Sequence, residues 1–134
     1  MIDHENQVFT AVATALRNEY GTGNIFVTGE YVAQPPKFPA VMIVQMDNAV
    51  HQRAIDTSYI EHAVDVMYQV DVYCNLQKGK KQQAKDILAK VDDEMAGMGF
   101  IRTYKNPVPN MNDATIYRMT TRYKRLITDQ EINL

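Results

Sequence analysis

Histidines, cysteines and clustered carboxylates are the side chains with which most proteins do chemistry, so their types and spacing come first. The chain carries three histidines, His4, His51 and His62, and one cysteine, Cys74. No histidine stands at metal-ligand spacing from another or from the cysteine, and none joins a paired carboxylate in a recognisable motif. They are expected as solvated or interfacial side chains, although His62 has Glu61 and Asp65 close by in sequence. Asp92, Asp93 and Glu94 are consecutive; on a helix they fan out in steps of about 100° and cannot converge on one ion, so a solvated acidic surface is the expectation. Cys74 lies in an apolar alternating run, where a buried, unreactive thiol is the usual outcome. No nucleophile, base and orienting group assemble, and no glycine-rich cradle for a cofactor is present. The expectation is a chain with no catalytic residues, no cofactor and no metal.

Two basic features remain. Lys78-Gly79-Lys80-Lys81 precedes a helical pattern, where free backbone amides can receive an anion, but the glycine spacing and Ser/Thr of a phosphate-binding loop are missing. A solvated loop is expected there, with a phosphate or acidic partner as the alternative. Arg118, Arg122 and Lys124 share one face of a strand, about 7 to 14 Å apart along it. Asp65 and Asp71, on the polar face of an earlier strand, are their natural partners across the sheet or between subunits; contact with passing nucleic acid and plain solvent exposure are the alternatives.

The chain has eight tyrosines and no tryptophan. Tyr68, Tyr117 and Tyr123 are expected in the core with hydroxyls at its rim, and Tyr59, Tyr73 and Tyr104 on a contact surface, where tyrosine is enriched. Met42, Met46 and Met67 are expected as core filler, the alternative being an adaptable interface.

At 134 residues with 46% apolar side chains the chain can close one core without disulfides or metal, which predicts a single domain. A formal net charge of −2 excludes the general basic excess of a dedicated nucleic-acid binder and leaves only a local patch for that role. No apolar run approaches the roughly 18 to 20 residues needed to span a bilayer, and Met1-Ile2-Asp3-His4-Glu5 lacks the start of a signal peptide, so no membrane contact and a cytoplasmic setting are expected.

The elements that must position these groups follow from hydrophobic period. Val8, Val12, Ala15, Leu16 and Tyr20, widened by Phe9 and Ala13, mark an amphipathic helix from Asp3 to Tyr20, with Asp3 as N-cap and Gly21 and Gly23 at its exit. Ile25 to Val32 reads as a short strand interrupted by Gly29. Gln34-Pro35-Pro36-Lys37-Phe38-Pro39 must be a loop, presenting Phe38 outward. Ala40 to Met46 is apolar on both faces, as in a covered central strand ended by Asp47 and Asn48. From Val50 to Glu61 the pattern fades, which predicts a hairpin arm around residues 48–62 carrying His51, Arg53 and Tyr59.

Val64, Val66, Tyr68, Val70, Val72 and Cys74 then alternate with a largely polar set, the clearest strand in the chain. A second helix spans Lys78 to Gly97, bracketed by Gly97 and Gly99. A terminal hairpin closes the chain, with a strand from Phe100 to Lys105, a loop holding Pro107 and Pro109, and a long strand from Ala114 to Thr128. The prediction is an α+β domain, an antiparallel or mixed sheet of four to five strands with both helices on one face and the other face partly open.

The helix ending in Tyr20-Gly21, the loop Pro35-Pro36-Lys37-Phe38-Pro39 leading into Ala40-Val41-Met42-Ile43-Val44, and the Asp47-Asn48 strand end form one part of a wider pattern. With the Tyr68-Gln69-Val70-Asp71-Val72-Tyr73 strand, the Gly79 to Gly97 helix and the closing Tyr117 to Ile127 strand, it resembles the tail terminator or tail-completion proteins of long-tailed bacteriophages. The resemblance spans almost the whole chain and is one of pattern and length. It implies a virion protein at the tail-head junction, assembled in the bacterial cytoplasm as a ring, a hexamer in that family. Such a ring caps the tail tube, stops its polymerisation and docks to the head connector, with DNA passing through without sequence-specific binding.

Surfaces rather than a motif would carry that role, and the candidate interface residues are Phe38, His51, Arg53, Tyr59, Asp65, Asp71, Tyr73, Arg118, Arg122 and Lys124. A different neck or tail-tube subunit is the neighbouring alternative, and a small nucleic-acid-binding module using Arg118, Arg122, Lys124 and the Lys78 to Lys81 loop is the alternative from another class. An enzyme is the remotest.

Overall fold

A computed structural model describes residues 1–51, 62–109, 113–131 and 133–134. Helix α1 (Glu5–Tyr20) is followed by β1 (Phe26–Thr28), β2 (Ala40–Val50) and β3 (Ala63–Cys74). Helix α2 (Lys80–Gly97), β4 (Ile101–Val108) and β5 (Tyr117–Thr128) complete the chain. The five strands form one sheet in the order β1-β2-β3-β5-β4, with β1 parallel to β2 and every other pair antiparallel. This is the α+β arrangement the patterning predicts.

Both helices bury their apolar stripes on one face of the sheet. Val8, Val12 and Leu16 of α1, with Ile87, Leu88, Val91 and Met95 of α2, join the inward residues of β3 and β5 in one cluster. Period-two alternation fixes which residues of β3 take part: Val64, Val66, Tyr68, Val70, Val72 and Cys74 are all buried, as expected. Tyr68 meets Phe100 edge to face at 5.4 Å and keeps its hydroxyl at the rim, donating to Gln45 Oε1 at 2.9 Å. Tyr123 does the same toward Asp92 Oδ1 at 3.1 Å.

Helix α2 ends in a Schellman turn. The Phe100 N–H donates to the Met95 carbonyl and the Gly99 N–H to the Ala96 carbonyl, both at 3.0 Å, while Phe100 buries its ring. That geometry demands a left-handed residue, and Gly99 supplies it with φ of 82°. Arg125 packs over the same glycine, bringing positive charge to a helix end whose own last turn has none.

Several boundaries differ from the sequence expectation. The N-cap of α1 is His4, not Asp3, although the Asp3 carboxylate accepts the Glu5 N–H at 3.0 Å. The strand expected over Ile25 to Val32 is cut to three residues, because the chain turns away at Gly29 to cross toward β2. Asp47 and Asn48 do not end β2. A β-bulge at Met46 absorbs one residue and the pairing resumes from Asp47 to Val50. Pro107 lies within β4 rather than in the loop, a position open to proline because β4 is an edge strand. The last strand begins at Tyr117, not Ala114, because the Asp113 carboxylate accepts from the Thr115 N–H at 2.9 Å and its hydroxyl at 2.6 Å, holding a turn there. The expected arm falls mostly on residues 52–61, outside the described residues. No described helix is long and apolar enough to cross a membrane.

Candidate interaction surface

The face of the sheet away from the helices carries the residues left over by the core. The pairing arranges them in rows that run across the strands: Ala40, Tyr73, Arg118 and Val108; Met42, Asp71, Thr120 and Asn106; Val44, Gln69, Arg122 and Tyr104; Asp47, Met67, Lys124 and Ile101. A short row of Ala49, Asp65 and Leu126 ends the face.

The first two rows are closed over β2 and β3 and open at Asn106 on the β4 edge. Ala40, Met42 and Tyr73 are buried beneath Phe26 of β1, Val32 and Phe38 of the β1–β2 connection, and Ile116, which precedes β5. Phe38 is therefore half-buried packing, not the outward aromatic expected, and Tyr73, only 8% exposed, is not free for a contact surface. Asp71 is 6% exposed and hydrogen-bonded on both carboxylate oxygens. It accepts from Arg118 Nε at 3.0 Å and from the Thr120 hydroxyl on one oxygen, and from Gln69 Nε2 at 2.9 Å on the other. Arg118 also lies over the Tyr73 ring, 5.5 Å from its centroid. Burial works against the Arg118 charge, but the hydrogen bond and charge of Asp71 outweigh it and hold the pKa above its ordinary value. Asp71 and Arg118 thus pair across strands, one of the two expected partnerships.

The remaining rows are bare. Met46, expected as core filler, lies at the bulge and is 52% exposed. Ile101 on the edge strand is 71% exposed and Leu126 44%. Among them stand Arg122 and Lys124, both exposed. Arg122 donates to Gln69 Oε1 at 3.0 Å and lies 5.2 Å from the centre of the Tyr104 ring. Asp47 is exposed on the β2 side. Asp65 pairs with His51 Nδ1 at 2.9 Å rather than with the basic residues of β5. His62 makes the matching contact with Asp129 at 2.6 Å, so two histidine-carboxylate pairs flank the end of the sheet where β2 stops and β3 begins. Arg53 and Tyr59 lie outside the described residues.

The other sequence candidates divide. Asp92 is not simply solvated acid: it takes Arg102 at 2.9 Å as well as the Tyr123 hydroxyl. Lys80 donates to the Thr115 carbonyl at 3.1 Å, and its neighbours Lys78 and Lys81 are exposed. Among the described residues no group of three or more histidines, cysteines or carboxylates is placed to hold a metal ion. The clefts lined by described residues include one of about 540 Å³, bordered by Pro107, Val108, Ile116 and Tyr117 with Arg118 at its side. One of about 180 Å³ contains the Asp92–Arg102 pair, whose charges neutralise each other. Another, of about 300 Å³, lies beside the start of α1.

Sequence reading missed Ile101 and Leu126. Leu126 shares parity with Lys124, which is the signal that it faces outward, and Ile101 gives no signal until β4 is known to be an edge. No protein-family model matches the chain, and no curated protein matches it.

Proposed function

We propose that this protein is a virion structural subunit at the tail-head junction of a long-tailed bacteriophage, one of a ring that caps the tail tube, stops its growth and docks it to the head connector. The observation that carries the reading is the division of the outer sheet face: one half closed by the chain's own loops, the other presenting exposed Met46, Ile101 and Leu126 among unlike charges. Surface of that kind is characteristic of contact with other proteins. The resemblance in pattern and length supplies the setting, including assembly in the bacterial cytoplasm and passage of DNA through the ring.

The test is electron microscopy of the protein incubated with growing tail tubes made from the tube gene of the same genome. Caps on one tube end and shorter tubes are the expected result. A monomer that leaves tube length unchanged overturns the reading. Arg122 stacked on Tyr104 beside Lys124 favours, as a second reading, a module that holds nucleic acid, which low-salt duplex binding lost on Arg122→Ala would support.

A further inference from the structure

The bare half of the outer face is polarised. Asp47 and Asp65 lie on its β2–β3 side, Arg122 and Lys124 on its β5 side, and Met67 stands between Asp47 and Lys124 in one row. We propose that a second copy of this chain covers that half face to face, so that the acidic side of each copy meets the basic side of the other and the exposed apolar side chains between them leave water.

Charge and shape select this occupant. A two-fold axis lying in the interface over Met67 exchanges the two sides of the patch, so each salt contact forms twice. Sheets stack aligned or near a right angle. The crossed arrangement turns Lys124 toward Asp65 of the other copy and Arg122 toward Asp47, and it carries the covered half, with its shelf of Val32, Phe38 and Ile116, past the other sheet's edge. Pairing along the free edge of β4 is disfavoured by contrast, since that strand carries a bulge at Thr103, Pro107 within it, and Arg102 and Lys105.

The patch is four strands wide and about three rows long, on the order of 400 Å² per copy. That lies below the usual range for stable dimers, so pairing is weak, salt-sensitive and visible at high concentration. A two-fold contact closes on itself. It therefore describes the free protein, leaves the ring's own contacts to other surfaces, and holds or fails independently of the virion reading.

Sedimentation equilibrium up to about 0.5 mM at low salt reads the mass directly, against 15.3 kDa for one chain. The expected result is a rise toward twice that mass. Two variants sharpen it: Arg122→Glu with Lys124→Glu, and Asp47→Lys with Asp65→Lys, each checked for an unchanged circular dichroism spectrum. Each variant alone stays monomeric, and the two mixed regain the pair. A wild-type chain that remains monomeric throughout overturns the proposal, as does a dimer indifferent to both variants or a mixture that fails to associate. Larger assemblies that ignore the charge changes overturn it too.

Discussion

Asp71 and Arg118 are joined at 3.0 Å from adjacent strands, one step off direct opposition, since Asp71 faces Thr120 and Arg118 faces Tyr73 in the β3–β5 register. The diagonal lets one carboxylate oxygen serve both the guanidinium and the Thr120 hydroxyl while the other takes Gln69. The closed half of the outer face is organised around this buried acceptor.

Asp71→Ala should therefore cost far more than a surface ion pair. It strands a part-buried guanidinium and the buried Thr120 hydroxyl together, and about 2 to 4 kcal/mol is expected. Urea unfolding checks this. In a double-mutant cycle Arg118→Ala added to Asp71→Ala should recover part of the loss, whereas strict additivity would show that the two side chains do not depend on each other.

Gly99→Ala tests the end of α2. A side chain there must adopt φ near 82°, and its Cβ would lie 3.0 Å from Arg125 Nε. The left-handed conformation costs about 1 to 2 kcal/mol for a non-glycine residue, and displacing Arg125 from its place between Gly99 and Glu131 adds to it. Gly97→Ala is the control. Its Cβ meets nothing within 4 Å and it is the last residue of the helix, so that change should be neutral or slightly stabilising in thermal unfolding.

These two sites mark what could be read from sequence. Gly99 was legible, because a glycine just past an apolar periodic run carries its own conformational reason. The core face of β3 was legible as well, because alternation is a property of the strand itself. The burial of Asp71 and Tyr73 was not: the same alternation puts them outside, and the side chains that pack on Tyr73, among them Val32, Phe38 and Ile116, come from segments distant in sequence. The basic residues of β5 were legible as a group. Only the register with β3 separates Arg118, held by Asp71, from Lys124, which stands beside Met67. Met46 was misread because Ala40 to Met46 is apolar on both faces and reads as covered throughout; it continues the outward set Ala40, Met42 and Val44, and the packing that buries Ala40 and Met42 does not include it.

Acid should weaken the fold at the end of the sheet where β3 begins. The hydrogen bond from His62 is the main cause that holds Asp129 below its ordinary value of 3.8. A carboxylate depressed in the folded state contributes stability that is present above the unfolded value and lost as pH falls through the folded one. The loss is thus expected below about pH 4. Carbon-13 NMR titration should find Asp129 titrating below a normal aspartate, and His62→Ala should move it back up. An unchanged Asp129 midpoint in that variant would show that His62 does not hold the carboxylate.

Cys74 should be inert as long as the chain is folded. Burial alone pushes its pKa to about 12, against 9.0 for a free thiol, and no neighbouring charge offsets it. At pH 8 that leaves about one thiolate in ten thousand in the folded chain and about one in ten when unfolded, before steric protection is counted. Alkylation by iodoacetamide at pH 8 should consequently be slow in buffer and complete within minutes in denaturant. Its rate in buffer should follow the fraction unfolded: Asp71→Ala should raise it by roughly the factor that its stability loss predicts, about 30-fold for 2 kcal/mol. Rapid labelling of the wild-type chain under native conditions would mean that the end of β3 opens without global unfolding, and that Cys74 is not sealed beneath α1 and α2 as its place in the core cluster requires.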